Sequence, residues 1–435
     1  MSTLGERIKE RRKAIGLTQE DLAGDNLSSG MISLIERNLT NPSLKTLEQL
    51  AKKLGVSVNF LLNQVETNKT DLENKQITLR MLKGLIKARK LSEAEKMING
   101  LEDGEIDYSL EGLFYKLKGD LYLAKKEYTN AIQAFEETLV FLNPFELNEY
   151  VDVYYNLADS YVQVKEYQLA IEMVLKGLLL MQSTHVNTDI LLKLKLLYLQ
   201  SYSYCRINEF NKGLTVINEA MGFMKENNCY YNEGLFYMLS GLAYLYLKQF
   251  DKGIECNEKA LTLIDIEDCK EQFIGCSTNL GILYRNMGDY GKSIHYLEYS
   301  LRLSLDNNLQ WSITNNYFEL AYTLYMKKDL NKAQEICETQ VLSIGELNPL
   351  KIKMILLLAY IKFDQELYGE ALIYTNDVKG KAEKLNDQNL IAKACILKSK
   401  ILHQQNSYIE AFEQLLHSVR IYEEGMENNY DAFLT

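Results

Sequence analysis

The stretch "GILYRNMGDYGKS" (281–293) sets a small residue, a tyrosine three positions on, and a second small residue nine positions after that. Its closing tetrad is an aromatic or leucine, two residues, then a small one. The tetrad recurs as "LSEA" (91–94), "YTNA" (128–131), "YQLA" (167–170), "FNKG" (210–213), "FDKG" (250–253), "YGKS" (290–293), "LNKA" (330–333), "YGEA" (368–371) and "YIEA" (408–411). Successive occurrences are 37, 39, 43, 40, 40, 40, 38 and 40 residues apart. Nine residues before each small residue stands Leu85, Tyr122, Tyr161, Tyr204, Tyr244, Tyr284, Leu324 or Leu402, with Lys362 the exception. Three residues before that, most units carry another small residue: Gly119, Ala158, Ser201, Gly241, Gly281, Ala321, Ala359 and Ser399. Small residues let two helices approach closely, and an aromatic ring fills the gap beside them.

This is the tetratricopeptide pattern, at a period above its usual ~34 residues, so the helices or turns are longer than the standard unit. Each helix pair buries its apolar face only against its neighbours. About nine pairs should therefore stack into a right-handed superhelix with a concave groove. Only three prolines (Pro42, Pro144, Pro349) interrupt 435 residues, which favours nearly continuous helix.

The N-terminus reads differently. "TQEDLAGDNLSSGMISLIERN" (18–38) is two short helices around a tight turn, with Thr18 and Asp21 forming a capping-box-like pair and Ser28 or Ser29 capping the second helix. Five helices are expected, at about 4–14, 18–24, 28–37, 43–54 and 57–62. Charge separates this segment from the rest. Residues 1–64 carry nine Lys and Arg against seven acids, whereas the remaining 371 residues are net −13, within a chain of net −11.

The elements "IKERRKAIGLTQEDLA", "ISLIERN", "NPSLKTLEQLAKKLGVS" and "FLL" resemble the Cro/C-repressor (Xre-type) helix-turn-helix domains in order and spacing. The resemblance implies that Arg12 pairs with Glu36 and that Gln19 touches the DNA backbone or a base edge. It places Ser28, Ser29, Met31 and Ser33 toward the major groove, and Arg37, Thr40 and Lys45 on phosphates. One departure stands out: no Arg, Gln or Asn lies on the leading face between 28 and 34. Met31 has the chemistry for a thymine methyl, and DNA shape and dimer spacing are expected to supply much of the specificity.

The expected architecture is all-α: a five-helix Xre-type domain (1–64), a polar linker (65–76) running into a new helix, and a tetratricopeptide superhelix (77–435). Seven cysteines without a CxxC pair and four scattered histidines argue against structural zinc or a disulfide framework. No phosphate loop, nucleophile elbow or HExxH site is present, so no enzymatic activity, cofactor or metal is expected. The longest apolar run, "MILLLAYI" (354–361), is too short to span a bilayer, and no signal peptide opens the chain.

The whole chain resembles the RNPP family of peptide-pheromone receptors of Gram-positive bacteria. That resemblance implies a cytoplasmic, homodimeric or tetrameric transcription regulator on an operator with two half-sites. Its repeats would capture a short imported peptide that alters oligomeric geometry. Two alternatives are a DNA-binding scaffold whose repeats hold a protein partner, and a regulator acting on response regulators. For a peptide, helical spacing about the packing small residues selects Tyr155, Asn156 and Asp159 in the second full unit, and Tyr202 and Arg206 in the third. It selects Asn279, Ile282, Arg285 and Asn286 in the fifth, and Asn315, Glu319 and Tyr322 in the sixth. Asparagine amides match a peptide unit in donor and acceptor, and Arg285 is expected to meet a peptide carboxylate.

Overall fold

A computed structural model describes residues 3–23, 27–56, 58–62, 69–102, 106, 108–142, 147–183 and 189–430. Every regular element among them is a helix, 23 in all. The chain divides into two compact units, residues 1–199 and 200–435, with the division inside one helix.

The first unit opens with α1 (Leu4–Ala14), α2 (Gln19–Ala23), α3 (Ser29–Glu36), α4 (Leu44–Leu54) and α5 (Val58–Leu61). Side-chain caps start these helices where the sequence places them. Thr3 and Glu6 form a capping box on α1, Ser28 accepts from the Met31 amide, and Ser43 accepts from the Thr46 amide. Asn38 takes a left-handed φ of 56° after α3, and its side chain accepts from the Gly5 amide at 2.9 Å. A Cβ on Gly5 would lie 2.2 Å from the Ile35 carbonyl oxygen, so only glycine lets α1 approach the end of α3 this closely. Ile8, Leu22, Ile32, Ile35, Leu50, Leu54 and Leu61 close the core.

Nine helix pairs follow. In the first unit they are α6 (Lys69–Lys87) with α7 (Leu91–Glu102), α8 (Tyr108–Lys125) with α9 (Tyr128–Phe141), and α10 (Leu147–Gln163) with α11 (Tyr167–Ser183). The helix α12 (Ile190–Arg206) carries the unit boundary and leads into α13 (Phe210–Asn227). The second unit continues with α14 (Glu233–Tyr246) and α15 (Phe250–Leu263), then α16 (Lys270–Asn286) and α17 (Tyr290–Asp306). It ends with α18 (Gln310–Met326) and α19 (Leu330–Ser343), α20 (Pro349–Asp364) and α21 (Tyr368–Lys384), and α22 (Gln388–Gln404) and α23 (Tyr408–Tyr430). The proposed linker needs correction. Residues 69–76 are the opening turns of α6, while 63–68, with the boundary at 64, lie outside the described residues.

Each second helix begins at the first residue of its tetrad. The reason is a repeated turn. Two residues before the tetrad, the backbone is left-handed at Arg89, Lys126, Lys165, Asn208, Lys248, Gly288, Lys328, Glu366 and Asn406. The next amide donates to the carbonyl of the residue nine before the small one, as in Asp289 to Tyr284 (2.9 Å) and Gln249 to Tyr244 (2.9 Å). This 6→1 bond is the Schellman closure of a helix C-terminus. Lys362, the exception by residue type, makes the same bond with Leu367 through its carbonyl, and its ammonium reaches Glu370 at 3.0 Å. The small residues then allow close packing: a Cβ on Gly281 would lie 2.5 Å from Cγ of Leu297.

Connections of three residues join 17-residue helices around α16, α17 and α18, which accounts for the 40-residue period. The cysteines are all free, and burial pushes the Cys276 and Cys337 thiols up to about 12. Eight of the nine left-handed turn residues are not glycine, which stores strain at each. Lys248→Gly should therefore raise the unfolding free energy measured by denaturant titration by about 0.5–1 kcal/mol, after the entropy cost of glycine. Gly288→Lys should lower it by a similar amount; equal signs for the two would refute the turn assignment.

Candidate DNA-reading helix and ligand cavity

In the helix-turn-helix domain the expected ion pair is present and buried. Arg12 Nε donates to Glu36 Oε1 at 2.5 Å, and a second guanidinium nitrogen donates to Oε2 at 3.0 Å. Arg12 also donates to the Leu17 carbonyl at 2.8 Å, tying the α1–α2 connection to the same centre. Burial alone would raise the Glu36 carboxyl, but hydrogen bonds from Arg12 and Gln19 outweigh it and hold it below the ordinary range. Gln19 joins the same centre. Its amide donates to Glu36 Oε2 at 2.7 Å, so it braces the recognition helix from α2.

Ser28 likewise caps α3 through its hydroxyl, and Arg37 turns back to donate to the Ser33 carbonyl at 3.2 Å. Ser29, Ser33 and Thr40 are half-buried, whereas Met31 and Lys45 are exposed. The outward face of α3 is consequently less polar than the expected serines imply.

The second unit holds a cavity of about 440 Å³. Its wall comes from the first helices of four successive pairs, α16, α18, α20 and α22, which pack directly against one another. Three expected residues line it: Arg285, Glu319 and Tyr322. The guanidinium of Arg285 donates to Glu319 Oε2 at 2.6 Å and to the Glu319 carbonyl at 3.3 Å, and it lies 4.6 Å from the Tyr322 ring centroid. Arg285 thus already has a carboxylate, from within the protein. It is nearly buried, so it is no vacant receptor for a peptide carboxylate.

Tyr322 stacks between Phe318 and Tyr325, with centroids 6.2 and 6.4 Å away. Burial, together with Asp364, raises the Tyr325 hydroxyl above its ordinary value, and burial raises Tyr360. Both phenols are therefore neutral donors. Leu356, Leu357 and Leu390 complete the apolar floor, and exposed Lys353 and Lys393 stand on the rim. Lys353 Nζ is 5.9 Å from the Phe318 ring centroid.

Sequence reasoning missed Phe318, Tyr325, Lys353, Leu356, Leu357, Tyr360, Leu390 and Lys393. The missing signal was register. Counted from the packing residues Gly281, Ala321, Ala359 and Ser399, the lysines stand six before and Phe318 and Leu356 three before. Tyr322 and Tyr360 stand one after, and Arg285 and Tyr325 four after, so one helical stripe repeats.

The remaining groove candidates lie off this wall. Asn286 is exposed, and its amide donates to the Ile282 carbonyl at 2.9 Å, one turn back in its own helix. Asn279, Ile282 and Asn315 are half-buried beside the cavity-bearing stripe, and Arg206 is exposed over the Tyr202 ring at 5.9 Å. In the first unit Tyr155 packs into the α10–α11 core with Lys195 Nζ 5.6 Å from its ring centroid. Asn156 is half-buried, and burial raises the Asp159 carboxyl.

Comparison with known proteins agrees with both halves. Residues 8–61 match the helix-turn-helix family, and residues 151–180, 235–265 and 276–307 match the tetratricopeptide repeat. The HTH-type transcriptional regulator ImmR of Bacillus subtilis (strain 168) is 32% identical over 109 residues, 24% of this chain and 80% of ImmR. The chain belongs to the helix-turn-helix transcriptional regulators. It spans 50 to 63% of the length of four other curated regulators that it matches.

Among solved structures, the apo form of the quorum sensor NprR from B. thuringiensis is similar in fold, with a TM-score of 0.64 at 12% identity, over 80% of this chain and 99% of that one. The apo form of RapI has a TM-score of 0.58 at 14% identity, over 81% of this chain and 98% of RapI. The chain therefore joins an Xre-type DNA-binding domain to a tetratricopeptide-type domain, the combination on which the RNPP resemblance rests. No described helix is long and apolar enough to cross a membrane.

Glu36→Ala should destabilise the N-terminal melting transition of the full chain by about 3–5 kcal/mol, because it strands a buried arginine. Ser33→Ala should leave that transition nearly unchanged. The Glu36 contribution is complete above the ordinary carboxylate value of 4.5 and is lost as pH falls through its lower folded value. The stability gap between wild type and Glu36→Gln should accordingly narrow on acidification below about pH 4.5. In the second unit, Arg285→Ala should destabilise the ligand-free protein by about 3 kcal/mol, whereas Lys353→Ala stays within about 0.5 kcal/mol.

Proposed function

We propose that this chain is a cytoplasmic, peptide-responsive transcription regulator. Its helix-turn-helix domain engages an operator with two half-sites as a homodimer or tetramer. A short imported peptide bound in the second-unit cavity changes the oligomeric geometry and thereby DNA binding. A single domain of this size makes few phosphate contacts, so paired half-sites are needed for tight binding.

The observation that carries this reading is the chemistry of the cavity wall. Four aromatic rings and three leucines form an apolar floor, and two exposed lysines stand at the rim. The one acidic wall residue, Glu319, is already neutralised by Arg285. The charged residues of the lining therefore carry a net positive charge, within a chain that is net acidic. Such a surface favours a short peptide that combines a large apolar or aromatic side chain with a carboxylate. The fold likeness to a protein described as a quorum sensor supports the same reading.

The test is selection of random heptapeptides by mRNA display on the full-length protein, followed by calorimetric titration of the selected sequences. Enriched peptides should carry an acidic residue close to an aromatic or branched apolar one. Lys353→Glu or Lys393→Glu should weaken their binding at least about tenfold, the worth of one charge-assisted hydrogen bond. No enrichment, or affinities indifferent to both substitutions, would overturn the assignment.

A further inference from the structure

The recognition helix α3 turns an apolar stripe toward solvent. Its inner face is Ile32, Ile35 and Glu36, all buried. Its outer face is Gly30, Met31 and Leu34, with Met31 41% and Leu34 37% exposed. Gly30 and Leu34 are one helical turn apart, and Arg37 follows within the next turn. Three polar side chains beside this stripe already have a hydrogen-bond partner within the domain, although Ser28 and Arg37 remain exposed. Gln19 donates to Glu36, the Ser28 hydroxyl accepts from the Met31 amide, and Arg37 Nε donates to the Ser33 carbonyl.

Gly30 adds a second observation. A Cβ there would meet nothing closer than the Ser28 hydroxyl at 3.8 Å, so the packing of the domain does not call for glycine. The backbone at Gly30 is exposed and leaves room for a group that approaches the helix from outside.

In the major groove of B-DNA, one base presents an apolar group, the C5 methyl of thymine; guanine, cytosine and adenine present donors and acceptors. An isobutyl and a thioether pressed against those polar edges would leave them desolvated and unpaired. Against a thymine methyl they lose nothing. We propose that Leu34 and Met31 read thymine methyl groups, with Gly30 admitting the base edge close to the helix axis. Exposed Arg37 and Lys45 hold the flanking phosphates and set the register. This inference rests on the DNA-binding reading of the domain and specifies what the domain recognises.

The test begins with selection of duplexes from a random pool by the full-length protein. Failure to enrich any duplex would count against the DNA-binding reading itself. In the selected operator, each thymine is then replaced singly by 2′-deoxyuridine, which removes only the methyl. At two or more positions per half-site the affinity should fall about fourfold, the worth of one buried methyl. Leu34→Ala should bind more weakly and become indifferent to methyl removal at one of those positions, and Met31→Ala at another. Both side chains are exposed, so unchanged melting curves should accompany the loss. An all-uracil operator that binds as tightly as the thymine one would overturn the proposal. So would Leu34→Ala and Met31→Ala variants that both keep full methyl sensitivity.

Discussion

The hydrogen bond that closes each repeat turn is the constraint on which the helix pairs depend. It fixes the amide before each tetrad to a carbonyl near the end of the preceding helix, at 2.9–3.0 Å in all nine described turns. Fixing that turn sets where the second helix starts and which of its residues face the first. The small residues of the two helices then meet, and the tyrosines fill the remaining space. Some rings keep their polar ends satisfied, as when the Tyr284 hydroxyl donates to Glu258 and the Tyr161 hydroxyl to Glu136. A repeat of this kind gains little from any one unit, because each apolar face is covered only by its neighbours. Regular closure is what makes nine such units compatible.

The same regularity creates the cavity. When every first helix starts in the same register, equivalent positions on α16, α18, α20 and α22 line up across the stack. Lysines stand above lysines and aromatics beside aromatics, and a continuous wall forms from residues far apart in the chain. The Arg285–Glu319 pair is embedded in that wall, where its guanidinium covers Tyr322. Both partners are nearly desolvated, so the pair serves the stability of the wall more than the capture of a ligand. The rim lysines, which are solvated, are the cations available to a ligand.

Glu36 plays an analogous organising part in the N-terminal domain. One carboxylate collects α1 through Arg12 and α2 through Gln19, and so sets the angle at which α3 faces outward. That arrangement has a consequence for recognition. Side chains used to orient the helix are withdrawn from the groove, and what remains outside is largely apolar. Stability of the motif and chemistry of its reading face are therefore linked through the same few residues.

Much of this was legible in the sequence. The nine tetrads marked where the nine second helices lie, because helix starts and close packing demand particular small and aromatic residues at local spacing. The Arg12–Glu36 pair was implied by the resemblance to Xre-type domains, while the Ser28 cap followed from short-range rules. The left-handed turn positions were not legible, since Lys, Glu, Arg and Asn occupy eight of the nine where glycine would have been the signal. Nor were the partners of Gln19 and Arg285, which lie 17 and 34 residues away. Which polar group faces outward depends on which one finds a partner inside, and that is decided only when the helices pack. Local chemistry determined the elements and their order; the tertiary structure decided which side chains were left free to meet a ligand.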